Sequence, residues 1–288
     1  MAWDSKCQLG ESPVWSVERN ALFFLDIKGK SLLSYKPSGG KDIFSLSEET
    51  GSIAISNSDG QLIAAQRNRI CCLSLEPFSE TMIGLPVKHS SRIRFNDGKC
   101  DAKGRFWVAS MDDLIDQPIG QLWSVESDYG MRPHIGNFIV GNGIGWSLDN
   151  RKMYFTDSEN RKISVFEYDL PTGNLGRSDC FASIDPSSGF PDGLTVDSQD
   201  HVWSAHWNGG RVTRYRPDGS VERVLHLPVP RPTSIAFGGE DMRSLFITSA
   251  RLGLTQKDLQ RAPWSGGLLE VKFHDLSGKP PMIFGRES

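Results

Sequence analysis

Between Gly141 and Asp169 the chain reads GNGIGWSLDNRKMYFTDSENRKISVFEYD, three apolar bursts separated by polar turns. An Asn142-Gly143 dipeptide, read as a turn, leads into a run ending at Trp146. A turn over 147–151 precedes a second run over 152–156. A further turn, around 157–160, precedes Ile163, Val165, Phe166 and Tyr168, and Asp169 with Pro171-Thr172-Gly173 closes the unit. Runs this short, dense in β-branched and aromatic residues and bounded by turn formers, predict strands and not helices.

The same pattern recurs through the chain. Aligned on their first six residues, the copies open ESPVWS at Glu11, GSIAIS at Gly51, NDGKCD at Asn96, NGIGWS at Asn142, DGLTVD at Asp192 and TSIAFG at Thr233. The third and fifth columns are mostly apolar and the sixth is small or acidic. Downstream, Phe23, Trp107, Tyr154, Trp203 and Phe246 fall at nearly equal offsets. Six units of roughly forty to fifty residues, each with three or four strand signals and no helical period, predict an all-β fold, a six-bladed β-propeller. The six repeats account for nearly the whole chain, so one domain over residues 1–288 is expected. In blade one the second and third strands are expected over 21–25 and 31–35. Residues 1–10 are expected to close the ring by adding a strand to the last blade, which protects its edges.

The symmetry carries the functional argument. The first strand of each blade of a propeller lines the central channel, so the opening residues should meet near the axis at one end. That ring reads Glu11, Gly51, Asn96, Asn142, Asp192 and Thr233. Four of the six present carboxylate or carboxamide oxygens. Carboxylates crowded together repel one another unless a cation sits among them, so the channel mouth reads as a central metal site. Any one Asn-Gly or Asp-Gly pair would ordinarily be a hairpin turn; their conjunction at one register is what points to a site. Gly51, without a side chain, reads either as open space for a ligand or as plain packing. Arg94 lies two residues before Asn96 and shares its face, and a guanidinium grips vicinal hydroxyls or a developing oxyanion by paired hydrogen bonds. The segment 111–120 is a candidate rim or lid, and 251–264 a possible overhang. His206 ends a second strand and so falls near the mouth, although a lone His is more often structural. Cys100 occupies an apolar column and reads as core.

Composition narrows the classes. Net charge is −3, with 32 Lys and Arg against 35 Asp and Glu. The basic residues are scattered, so there is no electrostatic footprint for nucleic acid. No run of apolar residues is long enough to span a bilayer, and no basic amphipathic helix marks a membrane surface. The start MAWDSKCQLGESP has no apolar core of a signal peptide. Five cysteines, odd in number and without paired ligand spacing, suggest a reducing, cytoplasmic setting. No obligate protein partner is inferred.

The motifs GESPVW around Glu11, RFNDGK from Arg94, NGIGWSLD from Asn142, PDGLTVD from Pro191, WNGGRVTRYRPDG from Trp207 and AFGGEDMRSLFITSAR near the end together resemble the gluconolactonase and senescence marker protein 30 family. The resemblance spans essentially the whole chain. It implies a six-bladed propeller that binds one divalent cation and hydrolyses sugar lactones such as glucono-, xylono- or arabinonolactone. It further implies Glu11, Asn142 and Asp192 as metal ligands, and Arg94 and Asn96 as substrate contacts. Asp113 matches an acidic substrate contact, where this chain departs from the pattern in carrying Asp for Glu. An oxygen-only ligand set favours a hard cation, Ca2+, Mn2+ or Mg2+; the resemblance also admits Zn2+ and Fe2+. The chemistry is compatible: a lactone carbonyl can lean on a Lewis acid, with Asp192 as general base on water and Arg94 and Asn96 stabilising the oxyanion. Alternatives are a phosphotriesterase or other ester hydrolase on the same fold, and a non-enzymatic calcium-binding or protein-binding propeller.

Overall fold

The computed structural model describes residues 1–84 and 91–286. Six antiparallel sheets follow one another along the chain and make a six-bladed β-propeller. Blade one runs outward from Gly10–Ser16 through Ala21–Asp26 and Ser31–Tyr35 to Lys41–Ser45. The inner strands of the next four blades are Thr50–Ile55, Ile93–Cys100, Gly141–Trp146 and Phe190–Val196, and each heads a four-stranded sheet. Blade six has three strands, Pro232–Gly238, Ser244–Ser249 and Leu269–Lys272. The expected strands of blade one are therefore present to within a residue.

The first ten residues do reach blade six, but through two isolated bridges, Trp3 with Leu268 and Leu9 with Ala250, without forming a full outer strand. The C-terminal segment turns away as well. Phe284 makes a parallel bridge with Ser56, accepting from the Asn57 N–H at 2.9 Å and donating to the Ile55 carbonyl at 2.8 Å. The last stretch of chain thus lies under blade two, where Lys279, Pro280, Pro281 and Met282 line a cavity at the end of the channel away from Glu11.

Core packing lies between blades. The recurrent second-strand aromatics Phe23, Trp107, Tyr154, Trp203 and Phe246 are all buried, each side chain worth roughly 1.5–3 kcal/mol of burial. The acidic sixth column has a structural use: Asp101 accepts the Trp107 indole N–H at 2.8 Å, and Asp197 accepts that of Trp203 at the same distance. Arg105 and Arg214 complete these buried pairs, so each charge is neutralised where desolvation would otherwise be costly. Cys100 is buried, and its thiol is pushed up by that burial, as its apolar column implied.

One irregularity fixes the site. In every blade the register between the first two strands slips by one residue at the same place: after Glu11, Thr50, Phe95, Asn142, Pro191 and Pro232. Each slip is a β-bulge, which bends a strand and re-aims its side chains. The Asn142-Gly143 and Asp192-Gly193 pairs are therefore bulges inside strands, where the sequence suggested turns. Close packing of inner strands explains their glycines: a Cβ on Gly143 would lie 2.6 Å from the Asp192 carbonyl, and one on Gly193 would lie 2.2 Å from Ser234 Oγ.

Candidate metal and substrate site

The bulges bring Glu11, Asn96, Asn142 and Asp192 from four blades to a single cavity of about 180 Å³. Arg94 and Ser158 line it too. Glu11, Asn142 and Asp192 are only 7, 6 and 6% exposed, so their charges and dipoles are nearly stripped of water. The remaining two ring members do not contribute. At Gly51 a Cβ would sit 2.5 Å from both the Phe95 and Asn96 carbonyls, so this arc is filled by the backbone of blade three. Thr233 hydrogen-bonds to the Gly10 carbonyl and to Thr248, facing its own blade and its neighbour.

A chain of hydrogen bonds fixes the polar groups. Arg94 Nη1 donates to Asn96 Oδ1 at 2.8 Å, as expected of residues sharing one face. Asn96 Nδ2 donates to Asn142 Oδ1 at 3.2 Å and to the Gly141 carbonyl at 3.0 Å. Asn142 Nδ2 donates to Ser158 Oγ at 3.1 Å, and Ser158 passes its own proton to the Pro191 carbonyl at 2.7 Å. Ser158 was not singled out in the sequence, although it falls in the turn that returns blade four's second strand to this face. Behind Arg94, Asp113 accepts from Arg94 Nε at 3.1 Å and from Arg67 Nη2 at 2.7 Å. Against its partial burial, the Arg67 hydrogen bond and the Arg94 charge hold Asp113 below the usual carboxylate range. Asp113 is not among the cavity-lining residues; its carboxylate is engaged by two guanidinium groups.

The carboxylates of Glu11 and Asp192 are in the opposite situation. Burial, and then repulsion from Asp97, push Glu11 up to about 8, opposed only weakly by the Ser12 N–H and Arg94. Burial, Glu11 and Asp97 together raise Asp192 well above its ordinary range. Asp97 and Lys99, on the inner strand below Asn96, were missed in the sequence because a bulge, and not simple alternation, turns Asp97 toward the axis. Lys99 Nζ donates to the Leu194 carbonyl at 2.6 Å.

The family model described as SMP-30/Gluconolactonase/LRE-like region matches residues 9–251. The chain belongs to this family. Regucalcin of Oryctolagus cuniculus is 32% identical over 285 residues, covering 96% of this chain and 95% of that protein. A solved luciferin-regenerating enzyme superposes with a TM-score of 0.91 at 26% identity, over 97% of this chain and 96% of the other. The calcium-binding protein regucalcin from Agrobacterium tumefaciens superposes with a TM-score of 0.93 at 23% identity, over 98% and 95%, and shows the shared fold.

His206 is buried away from the cavity, its Nδ1 2.9 Å from the Ser188 carbonyl and its Nε2 3.4 Å from the Tyr215 hydroxyl. Burial depresses it to about 4, so it is a neutral structural residue. From the candidate rim, Met111 and Ile115 line the cavity. The 251–264 excursion contributes Leu252 to the wall and folds into a short helix, Gln256–Arg261. Its capping box pairs Thr255 with Asp258. Cys7, Cys71, Cys72, Cys100 and Cys180 are all free thiols. Among the described residues no helix is long and apolar enough to cross a membrane.

Proposed function

We propose that this protein is a lactonase, a carboxylic ester hydrolase that opens sugar lactones such as glucono-, xylono- or arabinonolactone to their aldonic acids with a divalent cation bound at Glu11, Asn142 and Asp192. The observation carrying this reading is the meeting of those three side chains with Arg94 and Asn96 on one buried cavity. Two desolvated carboxylates, both raised by burial and Asp97 and Asp192 also by Glu11, with no salt bridge to either from Lys or Arg among the described residues, suit a cation as their counter-charge. A set of two carboxylates and a carboxamide favours hard cations, Ca2+, Mn2+ or Mg2+, over Zn2+ or Fe2+.

A cation held there supplies Lewis acidity to an ester carbonyl. The chain's own groups do the rest. Asp192 takes a proton from the attacking water as its oxygen bonds to the lactone carbon. Arg94 donates to the ring hydroxyls and to the developing oxyanion, while Asn96, whose amide hydrogens go to Gly141 and Asn142, accepts from a ring hydroxyl through the Oδ1 that Arg94 holds in place. The ring ester C–O bond then breaks and its oxygen leaves as an alcohol carrying the returned proton. Asp113 supports this through Arg94, whose guanidinium it orients.

The same reading keeps the chain as one unit over residues 1–288 working in the cytoplasm, where free cysteines persist, on a small-molecule substrate. A pH-indicator assay over aldonolactones, with metals returned to chelated protein, tests it. Metal-dependent acid release is expected; hydrolysis unaffected by thorough chelation removes the metal from the reading, and absence of hydrolysis with every cation removes the lactonase.

A further inference from the structure

One carboxylate at the mouth of the cavity has no part in the chemistry above. Glu159 lines the cavity with Phe190 and Trp207 and is exposed, whereas Ser158 next to it is buried. The other acids nearby are committed. Asp113 is gripped by Arg94 and Arg67, and Glu11 and Asp192 are the ligands proposed for the cation. Among the described residues no hydrogen bond or ion pair reaches the Glu159 carboxylate.

The backbone beneath Glu159 is fixed although its side chain is free. Glu159 sits in the turn that follows the second strand of blade four, Lys152–Asp157, and the turn is tied down on both sides. Ser158 donates its N–H to the Val140 carbonyl at 3.2 Å and its hydroxyl to the Pro191 carbonyl at 2.7 Å. Asp157 accepts from Asn160 Nδ2 at 2.7 Å. Arg161 donates to the Gly189 carbonyl at 2.7 Å, and its guanidinium lies over the Phe190 ring, 3.6 Å from the centre. A turn anchored in this way presents its side chain without a ligand having to order it.

Hydrogen-bond chemistry says what the carboxylate can do there. An ionised carboxylate only accepts, and every sugar hydroxyl has one proton to place. Deeper in the cavity free acceptors are few. Arg94 only donates, Asn142 Oδ1 already accepts from Asn96, and Ser158 Oγ already accepts from Asn142. With the lactone carbonyl on the cation, the hydroxyls farthest from that carbonyl reach toward the mouth, where Glu159 has open lone pairs.

We propose that Glu159 is a specificity-determining residue: it accepts a hydrogen bond from a hydroxyl on the part of the lactone farthest from the carbonyl, and so favours polyhydroxylated lactones over those lacking that hydroxyl. This rests on the lactonase reading and adds to it the recognition of the substrate's outer end.

Turnover and binding test it separately. With calcium added, Glu159→Ala should lower kcat/KM for gluconolactone about tenfold, the low end for a hydrogen bond to a charged group because solvent reaches this one. Glu159→Gln, which keeps one acceptor oxygen, should lower it about threefold, as expected of a neutral hydrogen bond. For δ-valerolactone, which has no hydroxyl to present, neither variant should change kcat/KM by more than about twofold. Calorimetry on gluconolactam, whose amide ring resists opening, should show the same order of affinities, native above Gln above Ala. Equal losses on the two lactones, or gluconolactone and gluconolactam both indifferent to Glu159, overturn the proposal. Gluconolactam affinity that falls in the variants while native protein opens no lactone supports the hydroxyl contact and sinks the lactonase reading instead.

Discussion

Two arcs of the channel ring share one backbone device and end in opposite uses. Blades one, three, four and five place Glu11, Asn96, Asn142 and Asp192 on the cavity, whereas blades two and six place Gly51 and Thr233 against their neighbours. All six inner strands bulge at this register. The bulge therefore supplies only an opportunity to project a group toward the axis. What is projected depends on the side chain there and on how closely the next strand approaches, as at Gly51, where a Cβ would lie 2.5 Å from two carbonyls of blade three.

Substitutions sharpen this contrast. The largest effect is expected on the polar arc: Asp192→Asn should lower kcat by roughly 10²–10⁴-fold, the usual worth of a positioned base, while leaving the fold intact by circular dichroism. Near-normal turnover with metal bound would exclude Asp192 as the base.

Removing the cation comes next. A cation present at 100 times its Kd should add about 2.7 kcal/mol to stability, seen as a shift in melting temperature on chelation. The pH dependence has a definite sign. Glu11 is raised to about 8 in the metal-free fold, so the folded state holds a proton that the unfolded chain releases near its ordinary carboxylate value. That contribution is full at low pH and is lost as pH rises toward 8. His134 and His206 act oppositely, since both are depressed to about 4; they add stability as pH rises and have nothing more to add above about 6.5. Between pH 6.5 and 8 metal-free protein should therefore lose stability, while cation affinity rises as protons cease to compete. Cation affinity flat over that interval would show that Glu11 is not a ligand.

On the packed arc, Gly51→Ala should destabilise by roughly 1–3 kcal/mol in chemical denaturation, because the new methyl meets backbone that cannot rotate away. An open arc would accept it without cost. Arg67→Ala should reduce kcat/KM about tenfold, the scale of a group acting through another, with a rise in KM as Asp113 loses its 2.7 Å partner and Arg94 its fixed orientation. The smallest change is Thr233→Val, which removes hydrogen bonds to Gly10 and Thr248 and should cost about 1 kcal/mol in stability with catalysis unaltered.

The six-bladed architecture was legible because the repeats write the same local information six times over, alternation and turn chemistry, with a buried aromatic in the second strand of five of them. The candidate donors were legible for the same reason, since rotational repetition turns a column of an alignment into a ring in space. Where reading failed, the cause was local geometry that repetition does not encode. Asn142-Gly143 has the letters of a turn and the structure of a bulge. Asp97 follows Asn96 and by simple alternation should face away, yet it adds charge to Glu11 and Asp192.

Residue order alone settled the blade count, the inner strands and the residue types at the channel mouth, because these follow from short-range preferences and period. Only the folded chain decided which ring members reach the cavity, that Arg67 holds Asp113, that Ile115 and Leu252 wall the mouth, and that the C-terminal segment lies across the far end. Those outcomes depend on distances between segments remote in sequence, and such distances are set by how strands bulge and pack, not by any residue's own propensity.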